Sequence, residues 1–193
     1  LTYAARSPEQ LLGLARNMPC PFVTKHNRAG MGLGVERFDS FDEFEVRLDA
    51  LAETPPVDGV TLLQVYIDSP ESFITRCEFI GGKLVYALRV DTSEGFELCP
   101  ADNCSVPDEH NSAETKILRF EIITDPIIPR YETFLHEQQI DIAGIEFITD
   151  HAGCKWTYDV NVNTNYNAEA ELRAGVNARV RLAQYLKKEL AQC

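Results

Sequence analysis

Residues 21–35 read PFVTKHNRAGMGLGV. Phe22-Val23-Thr24 is a short β-prone run, and Lys25 closes it. Arg28 to Gly34 then carries glycine at Gly30, Gly32 and Gly34, and Val35 to Phe38 reads as the next strand. Glycine has no Cβ, so its backbone can reach positive φ and approach a ligand closely. Successive backbone N–H groups in such a loop form a concavity that suits an anion, and a nearby cation adds charge. Two readings stay open on this stretch alone: a flap over phosphates, or a hairpin loop with no ligand. No Gly-Lys-Ser/Thr follows, so the loop is not a Walker P-loop, and a strand rather than a helix follows, so it is not the dinucleotide fingerprint.

Working outward, composition narrows the classes. A chain of 193 residues with 45% hydrophobic and 25% charged residues is that of a globular protein, as one domain or two small lobes. Its net charge of −12 argues against a broad surface for nucleic acid or an anionic membrane. No apolar run approaches the ~20 residues of a membrane span. The chain begins at Leu1 and reads as a fragment. The cysteines Cys20, Cys77, Cys99, Cys104, Cys154 and Cys193 are scattered and read as free thiols of a reducing cytoplasm. Cys99 and Cys104 are the close pair, with His110 the nearby candidate for a further ligand.

Taken in order, Ser7-Pro8-Glu9-Gln10 predicts a helix start, with Leu11, Leu12, Leu14 and Ala15 as its apolar face to about Asn17. Ser40-Phe41-Asp42-Glu43 is a second capping box, followed by Phe41, Phe44, Leu48 and Leu51 at helical spacing to about Glu53. Thr61 to Ile67 predicts a strand. Ser72–Ile80 and Lys83–Val90 predict a hairpin joined by Gly81-Gly82. Asp91 to Thr115 reads as a long loop or insertion, and Ile117 to Ile123 as strand or helix. Ile127 to Gln138 predicts a helix with Ile128, Tyr131 and Leu135 inward. Ile140–Thr149 and Cys154–Val162 predict strands joined at His151-Ala152-Gly153. Ala168 to Leu190 predicts one long helix burying Leu172, Val176, Val180, Ala183, Leu186 and Leu190. The pattern is α+β, in two lobes meeting near Ile67.

The last two strands carry polar residues where a buried sheet would carry Val or Ile. Glu146 stands between apolar neighbours. Asp159, Asn161 and Asn163 alternate with Val160 and Val162, so the period of 2 puts the polar set on one face. Pairing through the His151 turn lets Glu146 face Asp159 and Asn161. Two carboxylates and an amide oxygen are hard donors suited to Mg²⁺. The alternative is an exposed polar sheet face. Facing carboxylates repel without a cation, which favours the metal reading.

Lys25 with its glycine loop, then TLLQVYI, then Arg76 and Arg89 on a hairpin, then Gly144-Ile145-Glu146 and Asp159-Val160-Asn161 form an ordered set that resembles the ATP-grasp superfamily. The nearest type is the ribosomal-protein glutamate ligases and related carboxylate–amine ligases. The resemblance implies an α+β ATP-grasp fold of two lobes, 1–67 and 68–193, each with an antiparallel sheet and packed helices and with the nucleotide between them. It also implies a substrate lobe upstream of Leu1. Lys25 would contact the α- or β-phosphate, and Gly30, Gly32 and Gly34 would form the flap. Gln64 to Ile67 would be the adenine hinge, through the backbone of Val65 and Ile67. Glu71, or else Asp68, would hold the ribose. Arg76 and Arg89 would act at the γ-phosphate and the acyl-phosphate. Glu146, Asp159 and Asn161 would bind one or two Mg²⁺ ions, with Mn²⁺ as an alternative, and Asn163 would help position substrate.

The implied activity is ATP-dependent joining of a small-molecule or peptide carboxylate to an amine or thiol, in the cytoplasm, with a homodimer compatible. The alternative is a non-catalytic ATP-binding regulatory module. Three departures stand out. Val65 stands where the hinge often has an acid. Glu146 and Asp159 are exchanged in length relative to the common Asp and Glu. Val162-Asn163-Thr164-Asn165 replaces the Pro-Gly that often follows the last metal-binding Asn. Read without the resemblance, Arg76 and Arg89 pair with surface acids such as Glu78 and Asp91, and Trp156 is a core residue.

Overall fold

The protein is described by a computed structural model covering residues 1–29, 34–93, 119–121, 125–164 and 166–191, with the side chains of 119–121, 169 and 173 left aside. Gly30 and Gly32, the segment 94–115 and Cys99, Cys104 and Cys193 lie outside the described residues. The first unit is Leu1–Asp68; the second comprises Ser69–Ser93 and the described residues from Arg119 onward.

In the first unit, both predicted caps form. The Ser7 hydroxyl accepts the Gln10 N–H at 3.3 Å, and the Gln10 side chain accepts the Arg6 N–H at 2.9 Å. Ser40 and Glu43 repeat this pattern at 3.2 and 2.9 Å, with the Asp39 N–H as donor to Glu43. Each cap satisfies N–H groups that the first helical turn leaves without partners. They start α1 (Pro8–Ala15) and α2 (Phe41–Glu53). The strands β1 (Thr2–Ala5), β2 (Phe22–His26), β3 (Glu36–Phe38) and β4 (Thr61–Val65) form an antiparallel sheet in the order β1-β4-β2-β3. Leu11, Ala15, Phe22, Phe38, Phe44 and Leu63 form its core. Phe38 and Phe44 meet edge to face at 5.2 Å, a geometry that suits aromatic quadrupoles.

The second unit has the strands β5 (Phe73–Ile80), β6 (Lys83–Asp91), β7 (Arg119–Glu121), β8 (Ile142–Thr149) and β9 (Lys155–Asn161), antiparallel in the order β7-β6-β5-β8-β9. The segment read as strand or helix is thus a strand over Arg119–Glu121. Gly81 and Gly82 turn the β5–β6 hairpin with φ of 61° and 66°, the left-handed pair that a two-residue hairpin uses. Cys77, Phe79, Ala87, Ile145 and Phe147 on one sheet face pack against Ile128, Tyr131 and Leu135 of α3 (Ile127–Glu137). Burial pushes the Cys77 thiol up to about 12, so it stays a neutral core group. Ile80, Tyr86 and Leu88 on the other face meet Ala170 and Ala178.

The predicted long C-terminal helix is two helices, α4 (Ala168–Ala174) and α5 (Ala178–Leu190). Gly175 ends α4 with φ of 63°, and Asn177 caps α5 by accepting the Val180 N–H at 2.9 Å. The break turns a different face inward. Ala170, Ala178, Val176, Leu182 and Tyr185 pack on the sheet, whereas Leu172 (82%), Val180 (50%), Leu186 (47%) and Leu190 (77%) are exposed. Trp156 is also not core. It is 45% exposed on β9, and its Nε1–H donates to Asp150 at 2.8 Å.

The helix break fixes the sign of a substitution. A Cβ on Gly175 would meet no heavy atom within 4 Å, so Gly175→Ala adds backbone strain alone. Urea denaturation is expected to show a loss of about 1 kcal/mol. A continuous helix would instead gain about 1 kcal/mol from the same change.

Candidate functional site

The polar face of the second sheet is set by strand register. Arg76 on β5 stands opposite Glu146 on β8, and Glu146 stands opposite Asp159 on β9. The next row is Glu78, Gly144 and Asn161. Cross-strand partners share a face, so one side of three strands carries a guanidinium, three carboxylates and an amide. Glu146 is 8% exposed and Glu78 only 1%.

Arg76 ties this face together. Its Nε donates to Glu78 at 2.6 Å, its Nη1 to Glu146 at 2.7 Å, and its Nη2 to the Thr164 hydroxyl at 2.6 Å. Thr164 in turn donates to the second Glu78 oxygen at 2.6 Å. Gly144 makes room for this arrangement. A Cβ there would lie 2.7 Å from Arg76 Nη2 and 3.0 Å from the Thr164 hydroxyl. Burial lowers the Arg76 pKa, but the charges of Glu78 and Glu146 outweigh it and leave the guanidinium raised and charged. Burial raises the Glu78 carboxyl above its ordinary value, and the Arg76 charge and the Thr164 hydrogen bond pull against that rise.

Tyr158 enters through a bulge. The β8–β9 register shifts between Glu146 and Phe147, so Asp159 and Thr157 have partners on β8 while Tyr158 is the extra residue. Regular alternation would send Tyr158 to the face opposite Asp159; a bulge re-aims it. Its hydroxyl donates to Glu146 at 2.8 Å. Burial, then the Glu146 charge, raise the Tyr158 pKa well above the ordinary phenol, so the O–H remains a donor.

Glu146, Asp159 and Asn161 therefore share one face in adjacent register rows. Among the described residues no group of three or more His, Cys, Asp or Glu could hold a metal. Two carboxylates and an amide nonetheless fit Mg²⁺, which usually takes one or two carboxylates and completes its shell with water and substrate phosphates. Each Glu146 oxygen accepts one hydrogen bond, and Asn161 Oδ1 accepts the Asn163 N–H at 2.8 Å. A carbonyl or carboxylate oxygen offers two lone pairs, so each keeps capacity for a ligand while being oriented by its neighbour.

The two predicted arginines are not brought together. Arg89 stands opposite Thr75, and Leu88 stands opposite Arg76. Arg89 shares its face with Phe73 and Ala87, and its guanidinium lies over the Phe73 ring at 4.4 Å. Period-2 alternation over an odd offset explains this separation. Arg76 does pair with Glu78, but that acid is buried rather than on the surface.

In the first unit, Lys25 and Gln64 lie on the sheet face opposite the phenylalanine core, where Gln64 donates to the Thr2 hydroxyl at 3.1 Å. Gly34 has φ of 71° beside the His26 ring. At the expected hinge, Val65 ends β4. Its N–H donates to Leu1 at 3.1 Å, and the Tyr66 N–H donates to Pro21 at 3.0 Å, because β4 is an inner strand. Ile67 lies past the strand end. Glu71 and Asp68 are exposed, and the Glu71 N–H donates to the Ser69 hydroxyl at 3.3 Å.

Solved structures share this fold. D-cycloserine synthetase DcsG superposes with a TM-score of 0.64 at 15% identity, over 98% of this chain and 64% of that one. The RimK domain protein ATP-grasp from Sphaerobacter thermophilus gives 0.59 at 16%, over 96% and 60%. The ATP-grasp ligase PsnB, complexed with minimal precursor, Mg and ADP, gives 0.59 at 14%, over 92% and 48%. The chain has the ATP-grasp fold. It spans about half to two thirds of the length of these ATP-grasp structures. No protein-family model matches the chain, and no curated protein matches it in sequence.

Glu78, Gly144, Tyr158 and Thr164 are additions to the predicted site. Arg76-Cys77-Glu78 alternates as Asp159-Val160-Asn161 does, so period 2 could have placed Glu78 beside Arg76. The Tyr158 bulge has no local signature.

Arg76→Met is expected to leave Glu78 and Glu146 without their cation and to destabilise the protein by about 3–5 kcal/mol at neutral pH. The native Glu78 carboxyl, already raised, would rise further. Its protonated form then contributes stability fully below the ordinary glutamate value of 4.5, and that contribution is lost as pH rises through the raised value. Urea titrations across that range should show the deficit shrinking in acid; a deficit independent of pH would contradict the arrangement. Gly144→Ala should destabilise by about 1–3 kcal/mol, by displacing the guanidinium.

Proposed function

We propose that the chain is the nucleotide-binding, catalytic part of an ATP-dependent ligase that joins a carboxylic acid to an amine, or to a thiol, through an acyl-phosphate. The observation that carries this reading is the face-to-face placement of Glu146 and Asp159, with Asn161 in the next row and Arg76 alongside. The ligases that share the fold support it. PsnB in complex with a precursor, Mg and ADP supports the nucleotide, the metal and a peptide partner.

In this reading a carboxylate oxygen of the substrate attacks the γ-phosphorus and ADP leaves. An amine nitrogen then attacks the acyl carbon, phosphate leaves, and the nitrogen gives up its proton. Glu146, Asp159 and Asn161 would hold Mg²⁺, which neutralises charge on the phosphate oxygens when bound. Arg76 uses three of its five N–H donors internally; the remaining two, on Nη1 and Nη2, would meet a transferred phosphoryl oxygen. Its fixed position means that no reorganisation is needed as charge develops. Tyr158 keeps Glu146 oriented, and Asn163 fixes the Asn161 amide.

Lys25 would meet the α- or β-phosphate. Gly30, Gly32 and Gly34 would close over the phosphates and exclude water, which protects an acyl-phosphate from hydrolysis. Gln64 to Ile67 would read adenine, mostly through the backbone of Val65 and Ile67, and Glu71 or Asp68 would hold the ribose. Arg89, on the other face of its sheet, is assigned to the same reaction by resemblance alone. A cytoplasmic site of action accords with this chemistry.

Calorimetry with a non-hydrolysable ATP analogue tests the reading. Mg²⁺ is expected to tighten binding by about tenfold or more, and Asp159→Asn to abolish that gain while leaving metal-free binding unchanged. Absence of binding in both conditions, or an intact Mg²⁺ gain in the variant, would refute the assignment. ADP release that depends on an added carboxylate separates a ligase from a nucleotide-binding regulator.

A further inference from the structure

Both oxygens of Glu146 are held, and by different strands. Oε1 accepts from Arg76 Nη1 on β5 at 2.7 Å, and Oε2 accepts from the Tyr158 hydroxyl on β9 at 2.8 Å. β5 and β9 flank β8 on either side. Each donor is itself fixed. Glu78 and Thr164 hold the Arg76 guanidinium at 2.6 Å, and the bulge between Glu146 and Phe147 aims Tyr158. The last torsion of a glutamate side chain is ordinarily broad and two-fold. Two donors from the flanking strands remove that freedom, in a residue that is almost wholly buried.

The two oxygens are not equivalent toward a cation. Oε1 lies against a guanidinium, whose charge repels a second cation. Oε2 meets a neutral phenol and is tied to the strand that carries Asp159 and Asn161. The phenol takes one lone pair of Oε2 and leaves the other. A cation seated with Asp159 and Asn161 is therefore offered one oxygen of Glu146, not a chelating pair. That difference sorts the divalent ions. Mg²⁺ demands a near-octahedral shell at about 2.0–2.1 Å and keeps several waters, so the narrow bite of a chelating carboxylate suits it poorly. Ca²⁺ takes about six to eight oxygens at roughly 2.3–2.6 Å and readily accepts both oxygens of one carboxylate.

We propose that Tyr158 sets the metal preference of this site: together with Arg76 it restricts Glu146 to a single coordinating oxygen, which favours Mg²⁺ over Ca²⁺. Tyr158 acts through Glu146 as a positioning residue, and its role rests on the ligase reading above. Tyr158→Phe keeps the ring in the bulge and removes only the hydroxyl. Oε2 then regains a lone pair and the carboxylate regains its freedom to turn. The grip on the smaller ion loosens, and the larger ion can be chelated.

Calorimetry with a non-hydrolysable ATP analogue, without metal and then saturated in turn with Mg²⁺ and with Ca²⁺, tests the proposal. The unsubstituted protein should bind the Mg²⁺ complex about tenfold or more tighter than the Ca²⁺ complex. In Tyr158→Phe the Mg²⁺ complex should weaken by about tenfold and the Ca²⁺ complex should not, so the preference falls to about twofold or less, while metal-free binding moves little. A merely structural role would weaken all three conditions alike and leave the preference where it was. Thermal melts report the fold of the variant; should it not fold, the unsubstituted protein decides, a preference for Mg²⁺ supporting the proposal and equal binding overturning it. If Mg²⁺ tightens the analogue but Ca²⁺ does so equally, or if the variant keeps the full preference, the proposal falls and the ligase reading stands. If the analogue binds under none of the three conditions, both fall.

Discussion

One guanidinium organises the candidate site. Arg76 is held by an acid on its own strand, an acid on the next strand and a hydroxyl on the loop after β9. Three separate segments therefore have to be in register before its donors are satisfied. Gly144 is the steric condition for this, since any side chain there would occupy the space of the guanidinium. A buried ion-pair network is a weak source of net stability, because desolvation offsets most of the Coulomb gain. Its better-attested effect is to fix geometry, and that is what the proposed phosphoryl transfer would need.

The same network explains how acids can be concentrated on one face of a sheet. Glu78, Glu146 and Asp159 would repel one another if left alone. Arg76 balances Glu78 and Glu146 directly. Asp159 and Asn161 lie on the far side of Glu146, where a cation would add most to the balance. In a chain of net charge −12, such local compensation matters more than overall charge for an anionic ligand.

Much of this was legible from alternation. Asp159-Val160-Asn161 named its own face because strands have a period of 2, and the His151 turn supplied the pairing with Glu146. Caps at Ser7 and Ser40 were legible because side-chain chemistry at fixed offsets marks a helix start. Register was not. The bulge that admits Tyr158 depends on how β8 and β9 slide, which no local residue pattern specifies. Arg89 was grouped with Arg76 by resemblance, although their offset puts them on opposite faces once the hairpin register is known. The C-terminal helix was misread for another reason. Large apolar residues at helical spacing outweighed a Gly175–Asn177 stop-and-start signal, while small Ala170 and Ala178 were the residues that fit against the sheet.

The central claim is that Glu146, Asp159 and Asn161 together bind metal with nucleotide. Paramagnetic relaxation with Mn²⁺ and a non-hydrolysable ATP analogue addresses it directly, through backbone amide signals of the assigned protein. The account expects broadening centred on Glu146, Asp159 and Asn161, absent without nucleotide and lost in Asp159→Asn. Broadening centred elsewhere in the chain, or equal broadening in the variant, would contradict it.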